Sequence, residues 1–172
     1  MKNKITWLVI VILAFVFGYQ LSARISEIKS EKGRVTGIGG VFFKCKNPKE
    51  LKAWYRDNLG MNVNEYGAVF EWRQASDSTK KGYSQWSLFS EKTKYFQPSN
   101  KDFMINYRVA HMESLLAELR KKNVTIVDSV QVYDYGKFVH IMDPDGNNLE
   151  LWEPNDLEYE KMGKQLGSST IK

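Results

Sequence analysis

Two histidines and one cysteine are the full set of imidazole and thiol groups in this 172-residue chain. His140 stands out because of the turn that follows it. In Asp143-Pro144-Asp145-Gly146-Asn147, Pro144 presets φ, the aspartates can accept from local N–H groups, and Gly146 provides φ > 0. A hairpin loop over 144–146 pairs Asp143 with Asn147, Met142 with Asn148, His140 with Glu150 and Phe138 with Trp152. Alternation then places Phe138, His140, Glu150 and Trp152 on one face. An imidazole beside a buried carboxylate can move protons, the carboxylate orienting the ring and raising its basicity. The pair could also hold a divalent metal weakly, helped by a polar neighbour such as Asn106. A hydrogen-bonded pair in a cavity wall, with no turnover, is the plainer alternative.

The other reactive groups offer less. Cys45 lies in an alternating run, Val41-Phe42-Phe43-Lys44-Cys45, and reads as a small half-buried side chain. His111 falls at a helix start and reads as a cap-region surface residue. A calcium loop opening at Asp143 would need Gly at its sixth position and Glu at its twelfth; the chain has Asn148 and Pro154 there. No metalloprotease, nucleophile-elbow, phosphate-loop or dinucleotide motif is present.

Composition narrows the class. One cysteine rules out an intrachain disulfide and a thiolate metal cluster. The net charge of +5 is spread among interspersed charges of both signs, without the basic stripe a nucleic acid requires. Aromatic residues make up 13% of the chain, which suits a domain that encloses a ligand cavity or, equally, a well-filled core.

Lys2 and Lys4 precede Ile5 to Gly18, an uncharged run rich in Val, Ile, Leu and Phe, and Leu21-Ser22-Ala23 follows. Residues 1–23 therefore read as a secretory signal peptide or an uncleaved signal anchor. Either places the domain outside the cytoplasm, in the periplasm or another extracytoplasmic space, or held at the membrane through this segment. Residues 24–34 are a polar linker, and 156–172 a charged C-terminal tail with a frayed end.

Between them lie the elements that must position the site. Val35 to Lys46 predicts a strand. Asn47-Pro48-Lys49-Glu50 predicts a helix start, Leu51, Trp54, Tyr55 and Leu59 repeat at helical spacing, and Gly60 stops the helix. Strands are expected at 62–65, 68–73 and 84–90, with turns at Gly67 and over Ser76–Gly82. The order then recurs: a strand from Phe103 to Val109, a helix marked by Met112, Leu115, Leu116 and Leu119 that ends near Asn123, and strands at 124–127, 137–142 and 148–153. This is an α+β pattern of two tandem βαβββ modules, neither of which can bury its sheet face alone. The natural solution is a curved mixed sheet around a cavity. Alternation lines that cavity with Gly40, Phe42, Met104, Asn106, Phe138, His140, Glu150 and Trp152, a mainly apolar wall with a few orienting polar groups.

The Asp143–Trp152 stretch resembles the closing hairpin of the glyoxalase/bleomycin resistance protein/dioxygenase superfamily, the vicinal-oxygen-chelate proteins. The upstream Tyr135-Gly136-Lys137-Phe138 and the opening Gly39-Gly40-Val41-Phe42-Phe43, which leads into Trp54-Tyr55, are similar too, so the resemblance spans 35–155. It implies the glyoxalase-like fold, a small-molecule ligand and a possible homodimer. Metalloenzymes of this superfamily hold a divalent metal through three or four ligands. By position Glu150 matches the acidic ligand, while the opening-strand ligand, usually His, falls at Gly40 and its second-half counterpart at Met104. Glycine has no ligating group and a thioether is a poor one for such metals. No cofactor is therefore expected, with a divalent metal as the one candidate. The expectation is an exported domain that binds a small molecule through Phe42, Met104, Asn106, Phe138 and Trp152. Two alternatives stand beside it: a glyoxalase-type lyase or isomerase using Glu150 and His140, and a non-catalytic structural or interaction protein at the membrane.

Overall fold

A computed structural model describes residues 32–165 and 170–171. The N-terminal segment 1–23, most of the linker and the end of the C-terminal tail lie outside the described residues. Among those described, no helix is long and apolar enough to cross a membrane.

The chain begins with β1 (Arg34–Cys45), followed by α1 (Pro48–Leu59), β2 (Ala68–Gln74) and β3 (Asp77–Ser90). Asn47 caps α1 by accepting from the amides of Lys49 and Glu50 at 3.2 and 3.3 Å. Gly60, at φ 63°, ends it in a left-handed conformation that a Cβ would disfavour. The expected strand at 62–65 does not form. Asn64 instead accepts from the amides of Tyr66 and Gly67 through its side chain, a local turn that outcompetes ladder pairing. The predicted turn over Ser76–Gly82 is also corrected: only 75–76 turn, and β3 is already a strand from Asp77. The polar run Asp77–Lys81 hides the strand, because this end of the hairpin lacks apolar alternation.

The second half comprises β4 (Phe103–Ala110), α2 (Met112–Lys121), β5 (Thr125–Ile126), β6 (Gln131–Tyr133), β7 (Gly136–Met142) and β8 (Asn148–Pro154). Beyond them α3 (Asp156–Gln165) and β9 (Thr170–Ile171) extend into the charged C-terminal stretch. Asp156 and Glu158 in the first turn of α3 suit its N-terminus. Neither β6 nor α3 was anticipated from periodicity.

All nine described strands join one mixed sheet in the order β5-β7-β8-β4-β1-β3-β2-β9, with β6 paired to β7. The sheet is curved and unclosed, as the glyoxalase-like fold requires. β1 runs antiparallel to β4 at the centre with Gly40 opposite Asn106. On one side β3 lies parallel to β1 with Gln85 beside Gly40; on the other β8 lies parallel to β4 with Glu150 beside Asn106. The two halves are thus related by an approximate two-fold through the Gly40–Asn106 pair.

The main core fills the outer face of the second half. Met112 and Leu116 of α2 pack with Val109, Val139, Ile141 and Leu151. Those strand residues alternate with Arg108, Phe138, His140, Glu150 and Trp152, which accordingly point to the inner face. A smaller cluster joins Phe42, Phe96 and Met104, with Phe89 against it.

Candidate functional site

The β7–β8 hairpin has the register its turn chemistry requires. Met142 pairs with Asn148, His140 with Glu150 and Phe138 with Trp152. The turn closes through Asp143 N–H to Asn147 O and Gly146 N–H to Asp143 O, both 3.1 Å, with Gly146 at φ 75°.

Glu150, 2% exposed, is the buried centre of a polar chain whose ends, Tyr95 and Asp128, are partly exposed. The Tyr95 hydroxyl donates to its Oε1 and the Asn106 amide to its Oε2. His140 Nε2 lies 3.2 Å from Oε1, close enough for charge attraction but without the alignment of a hydrogen bond. On the ring's far side, Nδ1 is 2.7 Å from Asp128 Oδ2, and the His140 backbone amide donates to Asp128 Oδ1 at 2.8 Å. An ionised carboxylate offers no proton, so Nδ1 carries the hydrogen. In the neutral ring Nε2 would then turn a lone pair toward Glu150. Burial opposes charging the ring, but Glu150 and Asp128 outweigh it and lift the His140 pKa above the ordinary histidine value. For Tyr95, burial and the Glu150 charge together push the hydroxyl well above the usual tyrosine range.

Tyr95 and Asp128 are the partners that sequence reasoning missed. Tyr95 lies in the 91–102 connection, positioned by Phe96, which is fully buried, and by stacking on Phe89 at 5.4 Å. Ser99 Oγ donates to Gly146 O and Asn148 Nδ2 to Gln97 O, tying this connection to the hairpin turn. Asp128 follows β5; Val127 N–H donates to His140 O, so the carboxylate takes the next ladder position and satisfies the His140 amide. Neither loop residue carries a periodic signal.

Over this chain opens a cavity of about 540 Å3. Phe42, Asn106, Phe138, Glu150 and Trp152 line it, joined by Gln85, Tyr135, Tyr159 and Met162. Two expected members are not in that lining. Met104 is wholly buried among Phe42, Phe96 and Phe89, while His140 stands behind Glu150. Gly40 is displaced as well. A bulge leaves Gly39 unpaired in the β1–β4 ladder, and Gly39, not Gly40, stands at the cavity wall. A Cβ on Gly39 would collide with Asn106 Oδ1, whereas one on Gly40 would meet the Phe42 ring and Gln85 O at 2.7–2.9 Å. The two-fold register also moves the second-half counterpart of Gly40 from Met104 to Asn106, and makes Gln85 the counterpart of Glu150.

A divalent metal does not fit these donors as they are placed. Asp128, His140 and Glu150 stand in line with the ring between the carboxylates, so they do not converge on one point. Both Glu150 oxygens already accept hydrogen bonds. Gln85 Oε1 accepts from the Tyr159 hydroxyl at 3.0 Å. No group of three or more His, Cys, Asp or Glu able to hold an ion occurs among the described residues.

The far wall comes from α3. Arg108, 3% exposed, places its guanidinium between Trp72 and Trp152 at 5.4 and 5.1 Å from the ring centres. It also donates to both Asp156 oxygens at 2.7–2.9 Å. This half-buried, charge-assisted clamp holds the start of α3 so that Tyr159 and Met162 face the cavity.

The profile of the Glyoxalase/Bleomycin resistance protein/Dioxygenase superfamily matches residues 37–151. The chain belongs to this superfamily. No curated protein matches the sequence. Among solved structures, the chain is similar to Streptomyces coelicolor methylmalonyl-CoA epimerase in complex with 2-nitronate-propionyl-CoA, at 17% identity and a TM-score of 0.52, covering 71% of this chain and 99% of that one. The Mycobacterium tuberculosis methylmalonyl-CoA epimerase is 22% identical, with a TM-score of 0.47 and coverage of 73% and 93%. A superfamily member from Vibrio splendidus 12B01 is 14% identical, with a TM-score of 0.43 and coverage of 71% and 99%. At these identities the likeness is one of fold. The match ends at 151, so α3 and its contribution to the cavity lie beyond the superfamily profile.

Proposed function

We propose that this superfamily domain binds a small organic molecule in the cavity above Glu150, without a resident divalent metal. The observation that carries the reading is the cavity itself. About 540 Å3, walled by aromatic rings with a few polar groups on its floor, has the size and character of a small-molecule pocket. A domain with a purely structural role would be expected to fill that space with its own side chains. The metal-free part is supported by the in-line placement of Asp128, His140 and Glu150, with both Glu150 oxygens already accepting hydrogen bonds. The epimerases among the structural neighbours act on a CoA thioester, but this lining has no Lys or Arg among its described residues to meet phosphates, so that substrate is not carried over.

Screening compact aromatic molecules for a rise in melting temperature tests the reading, because a ligand that binds only the folded state stabilises it by mass action. Val69 lines the cavity, so Val69→Phe should fill part of it and reduce the rise. A Val69→Phe protein that responds as strongly as wild type would place binding elsewhere. Metal analysis of the purified protein tests the second part. Near-stoichiometric metal that disappears in Glu150→Gln would overturn it.

The Asp128–His140–Glu150 chain favours one second reading, a lyase or isomerase in which His140 and Glu150 move a proton on the bound molecule. Turnover lost in His140→Gln and Asp128→Asn, with ligand-induced stabilisation retained, would establish it. We also propose that residues 1–23 direct export, on the strength of Lys2 and Lys4 before an uncharged apolar run. Fractionation of cells expressing the chain with and without that segment tests this; an unchanged distribution would exclude it.

A further inference from the structure

We propose that the cavity selects an organic cation, a largely apolar molecule whose ammonium or amidinium N–H groups are directed at the Glu150–Asn106 floor. This inference rests on the small-molecule reading above and adds the chemical class of the ligand. Three independent features support it.

The first is the hydrogen-bonding sense of the floor. Glu150 only accepts, which obliges Asn106 to present its NH2 group to that carboxylate. Asn106 Oδ1 therefore faces the other way, and it is buried without a hydrogen-bond partner among the described residues. It sits over Gly39 at the cavity wall, where even a methyl group on residue 39 would strike it. The Tyr95 hydroxyl has already committed its proton to Glu150. Asn106 Oδ1 is turned away from any ligand, and what Glu150 presents in the cavity lining is lone pairs only, which suits a ligand that donates.

The second feature is charge. Glu65 and Glu150 are among the residues that line the cavity, and no Lys or Arg lines it among the described residues. Behind the floor, two carboxylates flank one imidazole, and the trio remains net negative even when His140 is charged. An anionic ligand would meet like charge in a partly desolvated space, which is strongly unfavourable. The third feature is the wall. The rings of Tyr135, Phe138 and Tyr159 border the same space, and their faces attract cations.

Three probes of one shape separate charge from apolar burial: tryptamine, tryptophol and indolepropionate, a cation, a neutral alcohol and an anion at neutral pH. Binding to the wild-type protein is measured by calorimetric titration. Tryptamine is expected to bind about tenfold more tightly than tryptophol, with indolepropionate weakest. Glu150→Gln should remove the preference for tryptamine while tryptophol binding survives. If Glu150→Gln does not fold, the wild-type ranking decides alone, and Glu65→Gln provides a second, more exposed variant in which the preference should shrink. Equal binding of tryptamine and tryptophol, or tightest binding of indolepropionate, overturns the cation assignment and leaves the small-molecule reading standing. Failure of all three to bind overturns both.

Discussion

The two halves of the sheet hold equivalent positions about the Gly40–Asn106 pair, and they are built very differently. In the second half, α2 buries Met112 and Leu116 completely or nearly so, and the core they join backs the strands carrying Asn106, His140 and Glu150. In the first half, α1 has no buried residue, and Trp54 and Leu59 are more than half exposed. At the site the contrast repeats. Asn106 and Glu150 are buried and locked into a polar chain, while their counterparts are a bulged glycine pair and Gln85. A buried carboxylate is tolerated only if its hydrogen-bond partners are held in place, which demands a rigid backing. A cavity wall demands only shape, and glycine serves where a neighbour's side chain needs the room. The polar half is built on fixed hydrogen bonds, and the glycine-bearing half on close approach.

The largest expected effect tests the packing side of that contrast. Leu116→Ala should cost about 3 kcal/mol in chemical denaturation, whereas Leu59→Ala should cost less than about 0.5 kcal/mol. Comparable losses would erase the distinction. Next comes the clamp on α3. Asp156→Ala leaves the Arg108 guanidinium buried without its carboxylate; since Asp156 is itself partly exposed, a loss of about 2 kcal/mol is expected. Proteolysis should then begin within α3 before the sheet is cut; unchanged protection would mean the clamp does not hold the helix. Gly39→Ala should cost about 1–2 kcal/mol by pushing Asn106 off Glu150, and ligand binding should weaken with it. A neutral Gly39→Ala would show that the wall is less constrained than its contacts imply.

A smaller effect follows from His140. Its pKa is raised in the folded protein, so the chain binds a proton more tightly folded than unfolded. The stability this contributes is fully present below the unfolded histidine pKa of about 6.5 and is lost as pH rises through the folded value. The stability gap between wild type and His140→Gln should therefore narrow as pH increases across that range. A gap that is flat or widens would mean that burial, not the two carboxylates, governs the ring.

Much of this was legible where the physics is short-ranged. Asn47, Pro48 and Gly60 mark both ends of α1 because caps involve residues a turn apart. Pro144 and Gly146 fix the hairpin, and a fixed hairpin places His140 across from Glu150. Local competition for the backbone and longer reach are what failed. The 62–65 strand lost to a side-chain turn made by Asn64, and β3 was cut short because its first turn-proximal residues are polar. Position along the chain pairs Met104 with Gly40, but the antiparallel β1–β4 register, with its bulge at Gly39, sets Asn106 opposite Gly40. Tyr95 and Asp128 reach the site from connections whose composition says only that they are connections.

The sequence alone determined the superfamily fold, the hairpin register and the His140–Glu150 pairing, since each follows from local dihedral preference and period-two alternation. Only the tertiary structure decided what surrounds them. Long-range packing sets Asp128 behind the ring, Tyr95 over the carboxylate, and α3 across the opening through the Arg108–Asp156 clamp. Those contacts join residues far apart in the chain, and no local pattern encodes which distant loop will satisfy a buried charge.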